Sequence, residues 1–128
     1  MDTRELIRVS LAKRRWAVVG ATDEKSKFGY IITRTLADAK YEVYPVSPRV
    51  SQIDELKAYP SLKDLPIVPE VVDMVVNPRV GIKIMEEIAE LGIPIVWLQP
   101  GTRSDEIREF ARTHGIQLVE DCVLVQLR

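Results

Sequence analysis

The hydrophobic positions of this chain alternate between two rhythms. Short β-branched runs, apolar at nearly every position, give way to longer stretches in which apolar residues recur every three or four positions. Trp16–Gly20 (WAVVG) reads as a strand covered on both faces, as in the interior of a parallel sheet. Beyond a polar loop, Phe28, Ile32, Leu36 and Ala39 fall on one face of a predicted helix, with Thr33, Arg34 and Asp38 off it. Tyr41–Pro48 (YEVYPVSP) is a second strand, in which Pro45 calls for an edge position or an early end to pairing. Val71–Asn77 (VVDMVVN) is a third, and Val80, Ile84, Ile88 and Leu91 then mark a helix that stops at Gly92 and Pro94. A fourth strand lies in IPIVWLQPG. Ser104–Gly115 carries a serine N-cap, acids in its first turn and a terminal glycine, and Ile116–Glu120 is a fifth strand.

Strands alternating with helices call for right-handed crossovers and a mainly parallel sheet of α/β class. The simplest doubly wound closure orders the five strands 3-2-1-4-5, with a crevice outside the carboxyl ends of strands one and four. Residues 1–14 predict an extra N-terminal helix that packs through Leu6, Ile7, Leu11 and Ala12. From Arg49 to Glu70 the pattern is broken by prolines, and short turns replace a regular crossover helix.

Composition narrows the setting. A chain of 128 residues suits one domain over its whole length. Lysine plus arginine (18) nearly balance aspartate plus glutamate (19), so no overall field draws nucleic acid or an anionic membrane. The single cysteine, Cys122, excludes an internal disulfide and suits a reducing compartment. The first residues are too charged for a signal peptide, and no apolar run approaches the ~18 residues of a membrane span. A soluble, cytoplasmic protein is expected.

Candidate chemistry gathers at the strand exits. After the first strand the chain reads Gly20-Ala21-Thr22 and the next glycine is Gly29, so the dinucleotide fingerprint G-x-G-x-x-G is absent. Ala21 and Thr22 are small enough for backbone N–H groups to approach a phosphate. The Thr22 hydroxyl, the helix N-terminus, and Lys25 and Lys27 would favour that anion. The alternative is that Gly20 only ends a strand and the lysines are solvated. The second strand ends in Val46-Ser47-Pro48-Arg49, without the carboxylate that NAD-binding domains place there. An arginine suits a ribose bearing a phosphate, so NADP or coenzyme A fits better than NAD, unless Arg49 is a plain loop charge. Asn77-Pro78 and Gln99-Pro100 close the third and fourth strands. Their amides could meet an adenine edge or a pantetheine amide, or cap the helices that follow.

These segments, with YPSLKDLP, FARTHGI and EDCVLV, stand in the order seen in the small stand-alone CoA-binding proteins. From about Arg15 to Leu127 the chain resembles that family, and is similar to the CoA-binding domain of succinyl-CoA synthetase and of ADP-forming acyl-CoA synthetases. The resemblance implies a three-layer Rossmann-like domain that binds coenzyme A or an acyl-CoA as a non-catalytic module. It implies that Gly20, Ala21, Thr22 and Lys25 cradle the CoA phosphates. Val46, Ser47, Pro48 and Arg49 match the family's turn after strand two, and Asn77, Pro78, Gln99 and Pro100 the turns facing adenosine or pantetheine. Two departures stand out: Ser47 replaces a common asparagine, and a common glycine is missing before YPSL.

Nothing in the residues compels catalysis. His114, the only histidine, sits at a predicted helix C-terminus, Cys122 reads as packing, Trp97 as core, and no metal-ligand spacing occurs. Two further readings stay open: a subunit completed by a separately encoded synthetase-like chain, and an NADP-binding protein.

Overall fold

Five of the apolar runs become strands of one parallel sheet in the structure, a computed structural model that describes residues 1–128. They are β1 (Arg15–Val19), β2 (Glu42–Val46), β3 (Val71–Met74), β4 (Ile95–Leu98) and β5 (Gln117–Val119). The order across the sheet is β2-β1-β3-β4-β5. This corrects the expected 3-2-1-4-5, and Pro45 supplies the reason. The Pro45 carbonyl faces outward and accepts from Tyr59 N at 3.0 Å, so its missing N–H lies on that same outer side. A strand lacking a donor on one side stays at the edge. β3 therefore pairs with β1 rather than with β2. The switch point, and the crevice with it, falls between β1 and β3 instead of between strands one and four.

Helices cover both faces: α1 (Thr3–Ala12), α2 (Phe28–Asp38), α3 (Pro78–Leu91), α4 (Asp105–His114) and α5 (Val123–Leu127). Alternation along each strand sends Trp16, Val18, Val71 and Trp97 to one core with Leu6, Ile32, Leu36 and Val123. Ala17, Val19, Val72 and Met74 go to the other, with Met85, Ile88 and Ile107. Burying each large side chain contributes roughly 1.5–3 kcal/mol. Trp97 is fully buried in the first of these cores.

Two helices are rotated from their expected phase. In α2 the buried residues are Gly29, Ile32, Thr33 and Leu36, while Phe28 is 65% exposed and Ala39 is also exposed. Thr33 is tolerated inside because its hydroxyl donates to the Gly29 carbonyl at 2.7 Å. In α3 the buried residues are Gly81, Met85 and Ile88, and Val80 stays exposed. Gly81 sets that phase: a Cβ there would lie 3.1 Å from the Ile107 side chain, so α4 packs closest where α3 has no side chain. In α1, Leu6 and Ser10 are the buried pair.

The irregular segment after β2 leaves the sheet as a two-residue antiparallel hairpin, Gln52–Ile53 with Leu56–Lys57. It returns at Tyr59 and forms a 3-10 turn at Leu62–Asp64. The apolar residues after β5 form the short helix α5, which lays Val123 into the core.

Candidate functional site

The exits of β1, β2 and β3 open into a crevice of about 870 Å³. Gly20 forms its floor. At φ +99° it takes a conformation that a side chain resists, and a Cβ there would lie 2.2 Å from the Val75 carbonyl oxygen. Gly29 meets the same turn from the other side, where its Cβ would lie 2.1 Å from the Gly20 carbonyl oxygen. The close helix-to-strand contact that a fingerprint's third glycine permits is thus made, from a different spacing. The signal was a second glycine at the start of the helix.

Of the expected residues, Gly20, Ala21, Thr22, Ser47, Pro48, Arg49 and Asn77 line the crevice. Their donors differ from expectation. The N–H groups of Gly20 and Ala21 both point to the Val46 carbonyl, at 3.2 and 3.3 Å, and so tie β1 to β2. Open donors come one turn later, at the start of α2. Lys27 at its N-cap offers no side-chain acceptor, which leaves the first N–H groups of the helix facing the crevice. The Thr22 hydroxyl oxygen accepts from Glu24 N at 3.2 Å, and its proton remains free for a ligand. Opposite, Ser47 Oγ accepts from Arg49 N at 3.2 Å and shapes the turn. The Arg49 guanidinium makes no hydrogen bond and no ion pair within the chain. Asn77 caps α3, its Oδ1 accepting from Val80 N at 3.0 Å. Sequence reasoning missed the apolar rim, where Phe28 and Val80 stand exposed beside Val50 and Val76.

The remaining candidates lie elsewhere. Lys25 is not among the residues that line the crevice, Val46 is buried beneath the turn, and Pro78 opens α3 outside the crevice. Gln99 turns into the protein: its Nε2 donates to Asp73 Oδ1 at 2.6 Å, and its Oε1 accepts from Val123 N at 3.3 Å. Pro100 goes with that folded-back turn, where Thr102 N and Oγ1 both bond the Gln99 carbonyl. Asp73 is fully buried in β3, and burial pushes its carboxyl up to about 7 despite the Gln99 amide, which acts the other way. Its Oδ2, like the indole N–H of neighbouring Trp97, has no hydrogen-bond partner. His114 stacks on Phe110 at 3.9 Å on α4, away from the crevice.

A crevice at the switch point of a five-stranded parallel sheet, beside an uncapped helix N-terminus, is the layout of Rossmann-like nucleotide-binding domains. Within that class, residues 14–128 match the family described as CoA binding domain, and the chain belongs to it. It is 26% identical over 122 residues to the uncharacterized protein YneT of Bacillus subtilis, covering 94% of this chain and 90% of that one. To the ADP-forming acetate–CoA ligase II of Archaeoglobus fulgidus it is 30% identical over 114 residues, 80% of this chain but only 17% of the ligase. Among solved structures, a hypothetical protein from Pyrococcus horikoshii superposes with a TM-score of 0.91 at 28% identity, covering 98% of this chain and 89% of that one. A conserved hypothetical protein from Pyrococcus furiosus gives 0.84 at 38% identity, covering 88% and 98%. No helix is long and apolar enough to cross a membrane.

Proposed function

We propose that this protein binds coenzyme A or an acyl-CoA in the crevice between β1, β2 and β3, as a binding module without catalytic activity of its own. One observation carries the reading: the uncapped start of α2 and the unpartnered Arg49 guanidinium line the same crevice. The helix start suits the pyrophosphate, which gains from oriented N–H donors and the helix dipole. Arg49 suits the phosphate on the ribose, which it would grip through two parallel donors. Thr22, Ser47, Pro48 and Asn77 shape the space between them, and the apolar rim of Phe28 and Val80 suits the less polar parts of the ligand. Family membership favours CoA over NADP.

The test is a thermal-shift series with CoA, dephospho-CoA, NADP and NAD on the wild type and on Arg49→Glu. At a hundred times its dissociation constant a ligand adds roughly 2.7 kcal/mol, on the order of 10 °C for a domain of this size. The expected result is a shift with CoA, a smaller one with dephospho-CoA and none with NAD. Arg49→Glu should lose the difference between the first two. Equal shifts for CoA and dephospho-CoA in the wild type would remove Arg49 from the site. A second reading follows from the ADP-forming ligase, of which this chain matches one part: a subunit whose active site is completed by another chain. Co-purification of a synthetase-like partner would favour it.

A further inference from the structure

The wall of the crevice that carries Arg49 is fastened to α2 by an ion-pair cluster outside the crevice. Arg34 on α2 donates from Nη1 and Nη2 to the two oxygens of Glu55 at 2.7 and 2.9 Å. Nη1 also reaches Asp54 Oδ2 at 3.3 Å, and Nε holds Asp38 on its own helix at 3.0 Å. One turn earlier, the Tyr30 hydroxyl donates to the same Asp54 oxygen at 2.6 Å. Asp54 and Glu55 form the tip of the hairpin, where Asp54 takes a left-handed conformation at φ +52°. Beneath them Ile53 is buried in the core with Ile32 and Leu36 of α2.

An exposed ion pair adds little to stability, but a fork onto two consecutive carboxylates of another element fixes one geometry. The root of the excursion is held by Ser47 N on the Tyr59 carbonyl and Ala58 N on the Ser51 carbonyl, at 2.8 and 3.0 Å. Arg49 and Val50 lie between these two bonds, at the base of the hairpin whose tip Arg34 and Tyr30 clamp. Their place relative to the start of α2 therefore depends on both attachments.

We propose that Arg34 and Tyr30 are positioning residues for the crevice, clamping the hairpin so that the Arg49 guanidinium stands opposite the start of α2 and a ligand with two separate phosphate groups engages both. The inference rests on the reading of the crevice as a CoA site. It makes affinity for the ribose phosphate depend on residues that touch no ligand.

The experiment is calorimetric titration of the full chain with CoA and with dephospho-CoA. The proteins are wild type, Arg34→Gln, Arg34→Lys, Tyr30→Phe, Arg49→Gln and the Arg34→Gln/Arg49→Gln double variant. Arg34→Gln should weaken CoA about tenfold, the scale of one charge-assisted contact, and dephospho-CoA less than twofold. Arg34→Lys keeps the charge but not the fork and should recover only part of the loss, while Tyr30→Phe gives a smaller change of the same kind. In the double variant CoA should bind no more weakly than in Arg49→Gln alone. A clamp that only stabilises the fold would lower the melting temperature and leave the preference for CoA unchanged. That result, or additive losses in the double variant, overturns the proposal. Wild type that binds neither ligand overturns the reading of the crevice as well, so the two failures are told apart.

Discussion

Gly29 shows how one missing side chain can set a site. Alanine normally favours a helix over glycine by up to about 1 kcal/mol. Here the added methyl would press into the Gly20 carbonyl, which is backbone and cannot swing aside. The steric cost wins, and Gly29→Ala should destabilise the protein by about 2 kcal/mol, measured by urea unfolding, while weakening any ligand at the start of α2. The sequence announced Gly20, because a glycine after an apolar run marks a strand exit. It concealed the part played by Gly29, because the spacing of the dinucleotide fingerprint was missing. The same limit explains Gln99. It sits at a strand exit in the sequence, but side-chain direction, which no spacing reveals, sends it into the core.

At the scale of elements, α2 is a helix left unfinished at its start. The three other helices of ten residues or more carry a capping side chain, from Asp2, Asn77 or Ser104, whereas α2 begins at Lys27 with none. Lys27→Asp should supply the absent acceptor and stabilise the ligand-free protein by about 1 kcal/mol, a rise of roughly 4 °C in Tm. The same carboxylate would occupy the donors and repel an anion, so the Tm increment with CoA should shrink. A variant that is more stable yet responds as fully to CoA would place the phosphates elsewhere. The exposed Lys27–Glu24 pair lost in the exchange contributes little. Strands were legible because burial on both faces writes them as unbroken apolar runs. Helix phase was less so: α2 and α3 bury Thr33 and Gly81, which an apolar count passes over.

Across the whole molecule, the buried Asp73 ties the centre of the sheet to its pH response. Its carboxyl stands at about 7 in the folded protein, above the ordinary aspartate value of about 3.9. The folded state therefore holds this proton more tightly than the unfolded chain. The stabilisation is complete below pH ~4 and is lost as pH rises through about 7. Relative to Asp73→Asn, the wild type should lose on the order of 3 kcal/mol between pH 5 and pH 8, read from paired denaturation curves. Parallel curves for the two proteins would mean that Asp73 does not titrate in that range. Strand order also belongs to this scale, and it was the least legible feature. Periodicity describes each strand's faces and says nothing of its neighbours, and Pro45 was the one residue that bore on the edge.

The contact between Gly20 and Gly29 has a consequence for how such a protein diversifies. The residues between them form a closed loop whose two ends are held together by backbone packing, independent of the side chains along the way. Lengthening such a loop costs little, about 0.6 kcal/mol for each doubling. The segment from Thr22 to Lys27 is thus an exchangeable cassette: its contents can be rewritten to suit a different ligand while the sheet and the helix behind it keep their places.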